Sequence, residues 1–211
     1  MMSIRLHTHT VLLTLLFVSA VVPSAIVPAA MARQATESQA IRDMLEERET
    51  EIKAVLGQND ELSEAQMDAL REAVNNMFDF GAMGRAALGR HWDELPAVRQ
   101  QEFVAVFSEI VRYQSLGDVD IYRAAVTYED ITVSGNEAHV MTTTVYKDVP
   151  TTVEYKLQRA DNTWLATDVI LDEVSTVEGY SRSFQSYIRK RGFDALMDNL
   201  NKRLEQNRSR S

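Results

Sequence analysis

The feature that most constrains this chain is a change of hydrophobic period partway along it, and a change back near its end. From Gln34 to Gln58 the apolar residues Ile41, Met44, Leu45, Ile52, Val55 and Leu56 recur at the spacing of one helix face. After Gly117 the period becomes two. Ala138, Val140, Thr142, Thr144 and Tyr146 alternate with His139, Met141, Thr143 and Val145. Helical spacing returns at Ser175. A pattern written for one period does not settle in the other, so the order is helices, one sheet, then helices. That order predicts an α+β fold, with helices packed on one face of a curved four-stranded antiparallel sheet.

Local signals place the element ends. Gly57 and the Gln58-Asn59-Asp60 cluster stop the first helix. Ser63 with Gln66 forms a capping box for a second helix carrying Met67, Leu70, Val74 and Met77 on one face, with Leu62 as a staple to Met67. Phe78, Phe80, Met83 and Leu88 continue an apolar run broken by Gly81, Gly84 and Gly89, which reads as a short or bent helix. Pro96 suits the first turn of a helix whose Phe103, Phe107, Ile110, Val111 and Gln114 form a stripe. In the strand region, Ser134-Gly135-Asn136-Glu137, Asp148-Val149-Pro150 and Ala160-Asp161-Asn162-Thr163 separate four runs rich in Thr, Val and Tyr, the composition of a half-buried pleated surface. Ser175 with Glu178 makes a second capping box. Tyr180, Phe184, Tyr187 and Ile188 follow on one stripe, and Gly192 separates them from a closing helix with Phe193, Leu196, Met197, Leu200 and Leu204.

The first residues read differently from the rest. Arg5 is the only formal charge before Arg33, an apolar run spans Val11 to Val22, and Ala30-Met31-Ala32 has the small-x-small pattern of a cleavage site. This predicts a cleaved secretory signal over 1–32, an exported soluble domain over 33–206 and a polar tail over 207–211. The run is too short for the roughly 20 apolar residues that cross a bilayer. The chain has 22 Lys and Arg against 31 Asp and Glu, and loss of Arg5 with the leader leaves 21 against 31, a net −10. Nucleic-acid binding needs clustered cations to neutralise phosphates, and this balance excludes it. With no cysteine, disulfides, thiol catalysis and Cys-ligated metals are also excluded. The four histidines include no pair at ligand spacing in the mature chain, so neither a metal site nor a cofactor is expected.

Catalytic chemistry is thinly represented. Gly81-Ala82-Met83-Gly84 matches a phosphate-cradling loop only in its glycines, lacking a preceding strand and a following Lys, and reads as a close helix contact. His91, beside Trp92, is the best acid–base candidate, though a structural hydrogen bond is its simpler role. Asp168 shares a strand face with Trp164, Ala166 and Ile170 on strict alternation. An outward, solvated position is expected for it; a cavity-facing one would make it a candidate base. Arg182, Arg189, Lys190 and Arg191 form the basic cluster, read as a solvated helix end that complements the helix dipole.

The blocks Phe78-Asp79-Phe80, Gly89-Arg90-His91-Trp92, Gln101-Glu102-Phe103 with Phe107, Trp164 through Asp168-Val169 to Val174-Ser175, and Tyr180, Arg182, Phe184, Gly192-Phe193-Asp194 and Leu196 resemble the MlaC family of periplasmic phospholipid-binding proteins, also called the toluene-tolerance auxiliary family. The resemblance spans nearly all of the mature chain. Two departures stand out: Glu173 replaces the usual glycine before Val-Ser, and Ser181 intervenes between Tyr180 and Arg182. The resemblance implies an apolar pocket between helices and sheet that holds lipid tails, no catalytic residues, and a periplasmic location. As partners it implies phospholipid, the substrate-binding component of an inner-membrane ABC transporter, and an outer-membrane lipoprotein–porin complex. Large apolar residues expected to face the sheet then become the lipid-contact candidates: Phe80, Met83, Leu88, Phe103, Phe107, Val140, Tyr155, Val169, Tyr180 and Phe184. The competing readings are a small enzyme with a steroid-isomerase-like pocket using Asp168 or His91 as base, and a carrier of another apolar ligand.

Overall fold

The structure is a computed structural model that describes residues 29–58, 61–117 and 119–209. The expected leader through residue 28 lies outside the described residues. Six helices, α1 (Ala29–Leu56), α2 (Glu64–Asn75), α3 (Phe80–Leu88), α4 (Ala97–Ser115), α5 (Thr176–Arg191) and α6 (Phe193–Arg208), surround a sheet of β1 (Val126–Ser134), β2 (Glu137–Tyr146), β3 (Val149–Ala160), β4 (Thr163–Leu171) and β5 (Val174–Ser175). The strands pair antiparallel in chain order. The α+β class is as expected. The sheet has five strands rather than four because the chain doubles back after Leu171 to pair two residues, Ile170 with Ser175 and Leu171 with Val174, before α5 begins.

The caps form as the sequence implies at Ser63, where both halves of the capping box with Gln66 are made. At Ser175 the hydroxyl accepts from the Glu178 N–H at 3.0 Å. Pro96 sits one place earlier than expected, as the extended N-cap of α4, where its missing N–H costs nothing. Asp79 caps α3 by accepting from the Ala82 N–H at 2.8 Å. Gly84 lies inside α3, and a Cβ there would meet a Phe103 ring carbon at 3.2 Å, so its glycine lets α3 and α4 approach closely. Helix α6 continues to Arg208, through the first residues of the expected polar tail.

Both sheet edges are covered. Helix α1 runs along the free edge of β1, where the Ser38 hydroxyl donates to the Ile131 carbonyl at 2.9 Å and Arg42 donates to the Tyr128 carbonyl at 3.4 Å. On the far side, Ala166 of β4 exchanges backbone bonds with Met77 and Asp79, which leads into α3. Each cover removes an unpaired edge that would otherwise invite strand addition. Two bulges bend the sheet, one with Glu129 as the extra residue of β1 and one with Thr167 as the extra residue of β4. The second shifts the phase of β4: Val169 lies opposite Tyr155, and Ile170 lies opposite Glu154.

Buried side chains form three separate clusters. One joins α3, α4, α5 and α6 around Phe103 and Phe107, which stack at 5.5 Å with Phe184 edge-on to both. A second seals one end of the sheet under α1, with Ile41 and Leu45 over Val133, Ala138, Val140, Leu157, Trp164 and Ala166. The third joins the end of α1 to α2 through Ile52, Leu56, Leu70 and Val74. Phe78 packs against all three. A domain of this size ordinarily builds one contiguous core; here the space between the clusters is left open.

Candidate functional site

That space is a cavity of about 400 Å³, within the range of sites that enclose small apolar ligands. Beyond Val140, the middle strands look into it with Thr142, Thr144, Val153 and Tyr155, joined by Val169 and Leu171 of β4. Leu45, Glu49 and Ile52 of α1 form one wall. Val74, Met77, Phe78, Met83, Val111 and Gln114 form the helical wall, and the segment around Ile121, Tyr122 and Ala124, with Val126 and Tyr128, closes the side next to β1.

The surface is more apolar than its residue names imply. The Thr142 hydroxyl donates to the Val153 carbonyl at 2.7 Å and the Thr144 hydroxyl to the Ala125 carbonyl at 2.9 Å. Both threonines therefore spend their polar atoms on backbone. The Tyr122 hydroxyl likewise donates to the Ser115 carbonyl at 2.9 Å. The phenols titrate high. Burial first, then Tyr122 and the Glu49 carboxylate, push Tyr155 up to about 12. Tyr128 is also raised, by burial and then by Glu49, Tyr155 and Glu46, against the opposing pull of Arg42. Burial and the nearby carboxylates outweigh Arg42 and disfavour the phenolate, so these groups stay as neutral hydroxyls.

Of the lipid-contact candidates, the structure places Met83, Tyr155 and Val169 in the cavity wall. Val169 reaches it because the Thr167 bulge reverses the alternation set by Trp164 and Ala166. Phe80, Leu88, Phe103, Phe107, Tyr180 and Phe184 lie instead in or against the helical cluster, packed on one another, and Val140 lies in the cluster beneath α1. The wall residues that the candidate set lacks come from α1, from Val74, Met77 and Phe78, from Val111 and Gln114 of α4, from strand residues such as Val126, Thr142, Thr144, Val153 and Leu171, and from Ile121 and Tyr122. The latter sit in a short segment with no hydrophobic period to announce them, whereas Tyr128 falls on the apolar phase of β1 and was open to detection.

Asp168 is a correction. It is 5% exposed rather than solvated, because the start of α5 folds over it. One carboxylate oxygen accepts from the Ser175 hydroxyl at 2.7 Å, the other from the Val177 N–H at 3.1 Å, and the Lys156 ammonium stands 3.6 Å away. His91 contacts Glu94 through Nδ1 at 3.0 Å, the structural bond that was its simpler role. Neither residue lines the cavity, which is where the enzyme reading requires one of them. Arg182, Arg189, Lys190 and Arg191 are exposed on the later turns of α5; Arg182 pairs with Glu178 at 3.5 Å and Arg191 lies over the Tyr187 ring.

A family model described as MlaC protein matches residues 46–202, which is most of the chain. The chain belongs to the MlaC family. The matched span takes in the α1 residues of the cavity wall from Glu49 onward, the whole sheet, and α6 as far as Lys202. Among solved structures, this MlaC-family chain is similar to a phospholipid-binding protein from Ralstonia solanacearum, determined in complex with a phospholipid. The two superpose with a TM-score of 0.63 at 22% sequence identity, over 82% of this chain and 97% of the other. No curated protein matches the sequence significantly. Within the described residues of the family member, no helix is long and apolar enough to cross a membrane.

Proposed function

We propose that this MlaC-family protein is a periplasmic phospholipid carrier. Its signal segment, Met1 to Ala32, is removed on export, and the domain over 33–206 carries lipid between the outer and inner membranes without chemical change. Its partners in that role are an outer-membrane lipoprotein–porin complex and the substrate-binding component of an inner-membrane ABC transporter, the system that keeps the outer membrane asymmetric.

The observation that carries this reading is the cavity between three unmerged clusters, floored by strands whose threonine hydroxyls are already satisfied. The physical need is large. A diacyl lipid has on the order of 30 methylenes, each worth about 0.8 kcal/mol out of water, so an unaided crossing costs roughly 25 kcal/mol. A carrier has to cover the tails only, since the headgroup prefers water. The Ralstonia protein of the same fold, bound to a phospholipid, supports the same use of the space. Met83, Tyr155 and Val169 touch the tails in this reading. Phe80, Leu88, Phe103, Phe107, Val140, Tyr180 and Phe184 back the wall and fix its shape.

Transfer between vesicles tests the proposal. Mature protein at catalytic concentration is expected to move labelled phospholipid from donor to acceptor vesicles separated by a membrane that passes protein but not vesicles. Transfer no faster than without protein would refute it.

A further inference from the structure

Two phenols in the cavity wall are left unpaired by the protein. The hydroxyls of Tyr128 and Tyr155 make no hydrogen bond to any described residue, although both residues line the cavity. Four other hydroxyls of the wall are satisfied: Tyr122 by the Ser115 carbonyl, Ser115 by the Arg112 carbonyl, Thr142 by Val153 and Thr144 by Ala125. Tyr155 stands mid-strand, with Val140 opposite it on β2 and Val169 opposite it on β4. A pure hydrocarbon occupant would strip water from both phenols and return nothing, which is unfavourable for buried donors. An occupant that fills the cavity well must therefore bring acceptor oxygens to this depth.

Glu49 decides which acceptors fit. Its carboxylate lines the same wall and acts electrostatically on both phenols, with Lys53 one turn along α1 as its ion-pair partner. A phosphate or a free fatty-acid carboxylate placed there would meet a like charge in a medium of low polarity. A neutral carbonyl oxygen meets two donors and, carrying only a partial charge, far less repulsion. We infer that Tyr128 and Tyr155 form a subsite for the ester carbonyls of a diacyl glycerolipid, with Glu49 keeping anions out of it. The inference rests on the lipid-carrier reading and adds that the protein distinguishes acyl esters from alkyl ethers.

The test equilibrates the mature protein with vesicles holding equal amounts of diacyl and dialkyl-ether phosphatidylethanolamine of one chain length, and reads the bound ratio by mass spectrometry. Wild type should favour the diacyl lipid about fivefold for each hydrogen bond made. Tyr155→Phe should lower the ratio, and Tyr128→Phe with Tyr155→Phe should bring it near one while lipid per chain persists. The ester C=O infrared band of bound diacyl lipid should shift down in wild type and return in the double variant. A ratio near one in wild type, a ratio untouched by the double substitution, or an unshifted ester band in wild type overturns the subsite and leaves the carrier reading standing. Failure of both lipids to load overturns the carrier reading, and the subsite with it.

Discussion

The Ser175 hydroxyl donates to the Asp168 carboxylate at 2.7 Å, so the buried end of β4 and the N-cap of α5 are tied through one side-chain bond. The same serine oxygen accepts from Glu178 N–H, and the second Asp168 oxygen accepts from Val177 N–H. One carboxylate thus satisfies two donors at the start of a helix while sitting against its positive end. Asp168→Ala strands those donors in a buried place and should cost about 2–3 kcal/mol in urea unfolding. Asp168→Asn keeps an acceptor and should cost roughly half as much, and Ser175→Ala about 1 kcal/mol.

The turn between β4 and β5 places Asp172 at φ 44° and Glu173 at φ 67°, in the left-handed region that favours glycine. The Glu173 side chain here is strained by its own Cβ. Glu173→Gly should stabilise the protein by about 0.5–1 kcal/mol, the relief of left-handed strain less the extra freedom of an unfolded glycine. A rise in the midpoint of chemical denaturation checks it.

Wall and core residues should respond oppositely to substitution. Val169→Trp and Val126→Trp put bulk into open space, so they should lower phospholipid loading about tenfold, or 1.4 kcal/mol, with little loss of fold. Phe107 is fully buried between Phe103, Phe184 and Tyr180. Phe107→Ala should instead cost about 3–5 kcal/mol of stability. Loading of diacyl lipid and unfolding midpoints, measured on the same variants, separate the two classes.

Tyr155 gives a stability signature at high pH. Unfolded, a tyrosine releases its proton near 10; folded, this one holds it to about 12. The unfolded state therefore binds fewer protons across that window, and stability present below pH 10 falls as pH rises toward 12, by about 1.4 kcal/mol per pH unit. Urea unfolding at several alkaline pH values should show a slope of this sign, to which the raised Tyr128 adds, and Tyr155→Phe should reduce it by about 1.4 kcal/mol per pH unit.

Much of the architecture was legible because hydrophobic period and caps are local signals: the switch at Gly117, the Ser63 box and the β-branched strands each name their element without outside help. What stayed hidden depends on longer-range packing. The extra strand is two residues held only by pairing with Ile170 and Leu171. Asp168 is buried by a helix that begins several residues later in the chain. The candidate wall was drawn from large apolar residues, yet Phe103, Phe107 and Phe184 are large enough to satisfy one another and close their own cluster. The cavity is left in part to smaller groups such as Val126, Val153 and Thr144, whose names carry no such signal. Whether an apolar stripe meets a neighbour or a space is settled by the partner element.

Native mass spectrometry of the exported chain, purified without detergent, addresses the central claim most directly. The account predicts a species heavier than the mature polypeptide by one diacyl phospholipid, with that adduct depleted in Val169→Trp. A bare polypeptide that also takes up no phospholipid when incubated with vesicles would contradict it.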